Sequence, residues 1–481
     1  MSAFTGRKIT FRVSETARIT IVCLFIVSFF FPPVFCYAAQ PGHLINKPME
    51  WVLFEQKIHS FLPDNARWSL CAVDTDTGET IISSGNAGKS LLIPGSVIKL
   101  LVAALVLESS VTEADFDTLI AFDGVVAEEE LKGDIYIRGS GNPLLLSDDI
   151  IFAAQKIRSS GIKTITGDII LDDSYFDAQG FANKINHPAY ASPAAFGMDL
   201  HTVSITVSGN TKNISAIPPN GELKFYFNNS EKQSIRQIDD LSYEIFLNPA
   251  DPVNIRQRFA LSDPGLFAAG AFKNILQQNG VITSGLIKRG RVPSGAKEIV
   301  RLKSKDIAVM LEEMNRYSLN VLADNLLLSI GAKRAGSPGT VGKGVDALKE
   351  FMSGLGIKSE EMNLADGSGL SRDNRITAGQ MANFLMKISK KRWFQSFYKT
   401  IPAIGMDGEF VESPSGLETL KLKTGRLMDV FSIAGYIDNN GRQTALAYMV
   451  NVPGADLLTV SDFVKALDQV LPGKITQNGE L

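Results

Sequence analysis

The stretch IPGSVIKLLVAALVLESS, residues 93–110, decides how the rest of the chain is read. From Val97 to Leu107 it is apolar almost all the way round, the pattern of a helix buried on every side. Its first turn nevertheless carries Ser96 and, three places on, Lys99. Pro94-Gly95 makes a turn just ahead, so Ser96 is expected to open the helix, where positions i and i+3 share a face. Hydroxyl and amine then stand side by side, at a helix terminus that favours an anion. Burial disfavours a charged ammonium and lowers its pKa, the more so beside another cation. A neutral amine can take the serine proton and make the hydroxyl a nucleophile. The alternative is an N-cap serine and a lysine that snorkels to solvent. The partners elsewhere in the chain decide between the two.

Two later triplets supply such partners. Ser318-Leu319-Asn320 lies in a helical region expected over 304–331, among Met314, Val321 and Leu322. There the Ser318 hydroxyl can relay a proton and the Asn320 amide can hold a carbonyl; the competing reading is a kink or a surface turn of helix. Lys423-Thr424-Gly425 ends an alternating strand. Lys421, Lys423 and Gly425 share one face of it, and Leu420, Leu422 and Thr424 the other. Lysine there adds positive field and glycine admits a second backbone or a ligand; the competing reading is an edge strand guarded by lysines.

Around these triplets the chain divides into regions of different character. Residues 66–84 read as a β-hairpin turning at Asp76-Thr77-Gly78. Between about 115 and 300, short strand-like runs such as GDIYIRGS and VSITVSG recur, with a helix at 265–280. Helices are expected at 342–355, 377–391 and 457–471, and strands at 417–425, 430–437 and 444–452. The hairpin and helix at the front and the strands and helices at the back read as two halves of one α/β (α+β) domain, 45–112 and 300–475. A β-rich region, 113–299, is inserted between them.

Composition excludes several functions. The formal charge of −3 lacks the basic excess that general nucleic-acid binding needs. The four histidines, at 43, 59, 187 and 201, include no pair at metal-ligand spacing, which leaves a zinc site or a Ser-His-Asp triad short of parts. GNAGKS at 85–90 ends like a phosphate loop, but Ser83 stands where its first glycine belongs. Residues 1–38 read as a secretory signal: Arg7, Lys8, Arg12 and Arg18, then an apolar run from Ile19 to Phe31, then small residues at Cys36-Tyr37-Ala38. An uncleaved anchor is the other reading. Cleavage removes four basic groups and one acidic group, taking the formal charge from −3 to −6. It also leaves Cys71 as the sole cysteine, so no internal disulfide is expected.

The order of a serine-lysine helix, then S-x-N, then K-T-G on a strand before a hairpin is the set of β-lactamases and penicillin-binding proteins. The 222 residues between the first two motifs exceed the gap of compact β-lactamases. Together with LKGDIYIRGSGNP (131–143), ITGDIILDDSYFD (165–177), ADGSGLSRDN (365–374) and LKTGRLMDVFSIAGYI (422–437), the chain resembles the class C low-molecular-mass penicillin-binding proteins, the D-alanyl-D-alanine carboxypeptidase/endopeptidase family. The resemblance spans about residues 50–471. It implies a penicillin-binding transpeptidase/β-lactamase-like catalytic domain, with an antiparallel sheet and flanking helices, interrupted by two small nested domains. It implies Ser96 as acylated nucleophile, Lys99 as its base, Ser318 as proton relay, Asn320 as carbonyl-binding amide and Lys423 as the cation facing relay and substrate. Thr424, Gly425 and Arg426 fall at substrate-binding positions, and the N–H of Ser96 and one on the Lys423 strand at the oxyanion hole. Arg426 departs from the Ser or Thr that relatives carry after K-T-G; it is expected either to contact a substrate carboxylate or to point away. Leu319 replaces a common Asp, and Asn142 an Asp in the insert.

The implied activity is that of an exported, periplasmic serine DD-peptidase, cleaving D-Ala-D-Ala or D-Ala–diaminopimelate bonds of peptidoglycan stem peptides. β-Lactams are its expected covalent inhibitors. No metal or organic cofactor and no nucleic acid is implied, and a peripheral membrane association stays open. The rivals are a β-lactamase or esterase of the same fold and a non-catalytic wall-binding scaffold.

Overall fold

The computed structural model describes residues 49–109, 111–178, 190–209, 213–403, 420–439, 441–452 and 460–470. The expected signal segment 1–38 and Asn440 of the last hairpin turn lie outside these residues. The chain opens with α1 (Met49–His59), the hairpin β1 (Arg67–Asp74) and β2 (Thr80–Ser84), and α2 (Lys99–Glu108). Then come β3 (Thr118–Ala127), β4 (Glu130–Arg138), α3 (Ser147–Ser159), β5 (Thr164–Ile165) and β6 (Ile169–Asp172). Six strands follow, β7 (Thr202–Ser208), β8 (Asn213–Ile217), β9 (Lys224–Asn229), β10 (Ser234–Asp239), β11 (Ser242–Leu247) and β12 (Asn254–Ala260). After them run α4 (Pro264–Gln278), β13 (Ile282–Thr283), β14 (Ile287–Arg289) and β15 (Lys297–Leu302). The last part holds α5 (Ile307–Arg316), α6 (Asn320–Ala335), α7 (Val341–Gly354), α8 (Ala378–Ile388) and α9 (Phe394–Thr400). It ends in β16 (Leu420–Leu427), β17 (Val430–Asn439), β18 (Arg442–Asn451) and α10 (Val460–Val470).

The two ends of the chain build one antiparallel sheet in the order β16-β17-β18-β1-β2. β1 pairs with β18 from Arg67↔Asn451 to Asp74↔Thr444. Strict alternation sends its side chains into two cores. Leu70, Ala72, Leu446, Tyr448 and Val450 pack on one face with Phe54 of α1 and Phe463 of α10. Cys71, Val73, Ala445, Ala447 and Met449 pack on the other with α2, α6 and α8. Being covered on both faces, the central strands are apolar at nearly every position, as the continuous run TALAYMVNV shows. α2 is buried along all but its last two residues: each from Lys99 to Val106 is buried.

Residues 118–302 form separate sheets. A seven-stranded mixed sheet runs β13-β5-β4-β3-β15, with β6 and β14 branching from β4. It is covered by the apolar faces of α3 and α4. Two three-stranded sheets, β10-β11-β9 and β12-β7-β8, share a core of Val203, Ile205, Tyr243, Ile245 and Phe259. Asn325 of α6 ties this region to the helical part of the first domain. Its amide donates to the carbonyls of Gly141 and Ala194 and accepts from the Ala194 N–H.

The structure departs from the sequence reading in several places, α1 and α9 among them, where no helix was expected. The helix expected over 304–331 is two helices, α5 and α6, broken at Ser318. There φ is +53°, and the Leu319 N–H returns to the Met314 carbonyl at 3.1 Å. This is the 6→1 closure of a left-handed helix stop, with serine where glycine is usual. α3 went unread because SDDIIFAAQKIRS offers only a modest apolar stripe inside a strand-rich region. Its start is held by the Asp149 carboxylate on the Leu146 N–H.

Asn451, the last residue of β18, pins the approach to α2. Its side chain accepts the Ile93 N–H at 2.8 Å and donates to the Ile93 carbonyl at 3.1 Å, both buried. Asn451→Leu orphans both backbone groups. It is expected to cost about 3 kcal/mol in urea denaturation, with little change in the slope.

Candidate active site

Ser96 lies in a 3₁₀ turn, Gly95–Ile98, that leads into α2. Such a turn eclipses i and i+3, and Lys99 Nζ stands 2.8 Å from Ser96 Oγ. Ser96 is half-buried and Lys99 fully buried. The amine does not snorkel. It also donates to Asn320 Oδ1 at 2.7 Å and to the Ser368 carbonyl at 2.6 Å. Burial first, and then the neighbouring charge of Lys423, lower its pKa to about 7, against the pull of Asp324 and Asp366.

β16 forms the next wall of the site. Lys423 is buried, its Nζ 2.8 Å from the Thr424 carbonyl. Gly425 is required by packing: a Cβ there would come 2.7 Å from the Ser96 nitrogen and 2.8 Å from the Pro94 oxygen. The glycine of the triplet thus admits a backbone, the turn that carries Ser96. Ser432 of β17, opposite Gly425, donates a short hydrogen bond to the Pro94 carbonyl from beneath.

β16 is the edge strand of its sheet. The Leu422 N–H bonds outward to Pro402 at 3.2 Å, so by alternation those of Thr424 and Arg426 also face the outer edge. Gly95 sits against this backbone, a Cβ on it falling 3.5 Å from the Arg426 nitrogen. The N–H groups of Ser96 and Arg426 are therefore neighbours. The Arg426 side chain lies on the strand face opposite Lys423, exposed, with its guanidinium 5.9 Å from the Phe431 ring centroid. Thr424 shares that face.

The third wall is the elbow between α5 and α6. Asn320, the first residue of α6, reaches the amine directly. Ser318, two residues earlier, holds the left-handed conformation already noted, which costs a non-glycine residue about 1 kcal/mol or more. Its hydroxyl is half-buried and makes no hydrogen bond to Lys99 or Lys423 among the described residues. Ser96, Lys99, Asn320 and the β16 backbone thus meet at one point; Ser318 precedes Asn320 by two residues.

Sequence reasoning singled out ADGSGLSRDN as a block but gave its residues no task. The structure shows this loop beneath the amine. The Ser368 carbonyl touches Lys99, and a Cβ on Gly369 (φ +84°) would come 2.1 Å from the Gly95 oxygen. Asp366 accepts from Gly369 N, Ser371 N and Asn374 Nδ2 at 2.6–2.8 Å. Arg372 makes a bidentate pair with Asp429 of the β16–β17 turn at 2.7 and 2.5 Å. The Asp-Gly-Ser-Gly run signals a tight loop, but a carbonyl's role leaves no mark on residue type.

With this geometry in place, known proteins can be compared. Residues 55–471 match the model of the D-Ala-D-Ala carboxypeptidase 3 (S13) family. The D-alanyl-D-alanine carboxypeptidase of Actinomadura sp. (strain R39) is 26% identical over 416 residues, covering 79% of this chain and 76% of that one. The D-alanyl-D-alanine carboxypeptidase DacB of Haemophilus influenzae is 24% identical over 415 residues, 81% and 86% of the two chains. The crystal structure of penicillin binding protein 4 (dacB) from H. influenzae superposes with a TM-score of 0.72 at 22% identity, over 86% of this chain and 96% of that one. The fold is thus of the penicillin-binding-protein type.

Gly425→Ala tests the wall. The added methyl is expected to displace the Ser96 turn, destabilise the protein by about 1–3 kcal/mol and slow acylation of the enzyme roughly 100-fold. Gly354→Ala, where no atom lies within 4 Å of the new Cβ, is expected to leave both unchanged. Thermal melting and single-turnover acylation check the pair.

Proposed function

Because the chain belongs to the D-Ala-D-Ala carboxypeptidase 3 (S13) family and is a serine DD-peptidase, we propose that Ser96 is its acylated nucleophile and Lys99 the base that activates it. One observation carries this reading: a buried amine 2.8 Å from the serine hydroxyl and hydrogen-bonded to two further oxygens. A neutral amine has two N–H bonds and one lone pair. The Ser368 carbonyl and Asn320 Oδ1 take the two N–H bonds, which leaves the lone pair for the Ser96 proton.

In this mechanism Ser96 Oγ attacks the carbonyl carbon of the penultimate D-alanine as its proton passes to Lys99. The N–H groups of Ser96 and Arg426 receive the oxyanion. The C–N bond then breaks, and the departing amine gains a proton from Lys99 through the Ser318 hydroxyl. Ser318 is suited to relay by its hydroxyl, two residues ahead of Asn320, and Lys423 holds the field positive. Water, deprotonated by the same amine, releases the acyl group. A terminal D-alanine and a cross-linking diaminopimelate present the same D-alanyl carbonyl, so carboxypeptidase and endopeptidase cleavage share the centre.

The substrate is the peptidoglycan stem peptide, which places the enzyme outside the cytoplasm, exported by residues 1–38. No helix among the described residues is long and apolar enough to cross a membrane. Penicillins, which carry a strained amide in place of the D-alanyl bond, are expected to acylate Ser96. The H. influenzae relative has been solved with a β-lactam bound.

Fluorescent penicillin is expected to label the protein covalently and Ser96→Ala not at all, with the adduct located by peptide mass spectrometry. The pH profile gives a second test. Only the neutral amine is a base, so acylation is expected to fall tenfold per pH unit below a midpoint near pH 7. Lys423 lowers the Lys99 pKa. Lys423→Ala is therefore expected to raise it and move the midpoint toward higher pH.

A further inference from the structure

Helix α6 meets the amine of Lys99 at two levels. Asn320 accepts from it directly. Asp324, one turn on and on the same face, does not touch the amine but holds a group that does. Its Oδ1 accepts the N–H of Gly367 and of Ser368, each at 2.9 Å, and the Ser368 carbonyl in turn accepts from Lys99 at 2.6 Å. Asp324 is 4% exposed, and the acylation steps above make no use of it.

We propose that Asp324 is a positioning residue for the base: it anchors the Ser368 carbonyl on one N–H of Lys99 and so aims the amine's lone pair at Ser96. This rests on the reading of Ser96 and Lys99 as nucleophile and base. Three observations carry it. The shape of the 365–374 loop is already secured by Asp366, which takes three donors from within that loop. Asp324 adds the tie between loop and helix. That tie is short, since a Cβ on Gly367 would come 2.9 Å from the Ala323 carbonyl. And a second carboxyl beside Asp366 is costly: burial and the Asp366 charge both push the Asp324 carboxyl up. An apolar residue would fill the position more cheaply were stability its only purpose. A protonated Asp324 keeps Oδ1 as an acceptor and carries one donor, the bonding pattern of asparagine.

The test is stopped-flow acylation of the full chain by fluorescent penicillin, separating the acylation rate constant from the dissociation constant of the non-covalent complex. Asp324→Asn retains an acceptor oxygen and is expected to acylate within about fivefold of the parent. Asp324→Leu, of similar size but with no acceptor, is expected to lose roughly 100-fold in the rate constant with less than about threefold change in the dissociation constant. If the leucine variant is not recovered folded, Asp324→Ala assayed with and without formate replaces it; formate restores an acceptor and is expected to recover at least about tenfold. A leucine variant as fast as the parent, an asparagine variant as slow as leucine, or an alanine variant indifferent to formate overturns the role of Asp324. A parent protein that takes no label at all overturns instead the reading of Ser96.

Discussion

A lysine with no exposure to water, wedged between a second cation and three oxygens, is the constraint that the rest of the structure meets. Keeping it uncharged requires that water stay out, and an α2 helix buried on every side ensures this. Keeping it aimed requires that its neighbours be fixed. They come from segments far apart in the chain: the Ser96 turn, the head of α6 and the 365–374 loop. Glycines at 369 and 425 allow these backbones to approach more closely than side chains would permit. The site is thus a packing solution as much as a chemical one.

The same low dielectric that favours the uncharged amine makes each unsatisfied neighbour expensive. The polar groups around it are accordingly connected: Asn374 to Asp366, Asp366 to the loop amides, Asp324 to the next two amides, and the Ser368 carbonyl to Lys99. Two carboxyls lie close to the amine, yet neither makes a hydrogen bond to it. The tension is relieved toward neutrality, the Asp324 carboxyl moving up and the amine down. An arrangement of this kind holds a base ready without turning it into a salt bridge.

What could be read from the sequence follows from what each residue type reveals. A lysine in an otherwise apolar helix is conspicuous, and so is a K-T-G at a strand end; the spacing in each case is local. The two-sided burial of β1 and β18 was legible as hairpins and apolar runs, though not their pairing with each other, which joins residues some 380 positions apart. Ser318 read as helical because nothing in MNRYSLN marks a stop; only the backbone reveals that serine occupies a glycine's conformation. Ser368 acts through a carbonyl and Ser432 through a bond to another carbonyl, functions that any sequence can hide. Asp324 carries no mark in the sequence, because its partners are amides some forty residues away.

The five-stranded sheet also bears on how the chain matures. Strands β3 to β15 find their partners among residues 118–302 and can pair without the C-terminal strands, whereas β1 must wait for β18. Until then Ser96 has no β16 wall beside it. A chain lacking β16 to β18 therefore lacks one side of the Ser96 pocket, and that side is completed only when the last strands dock.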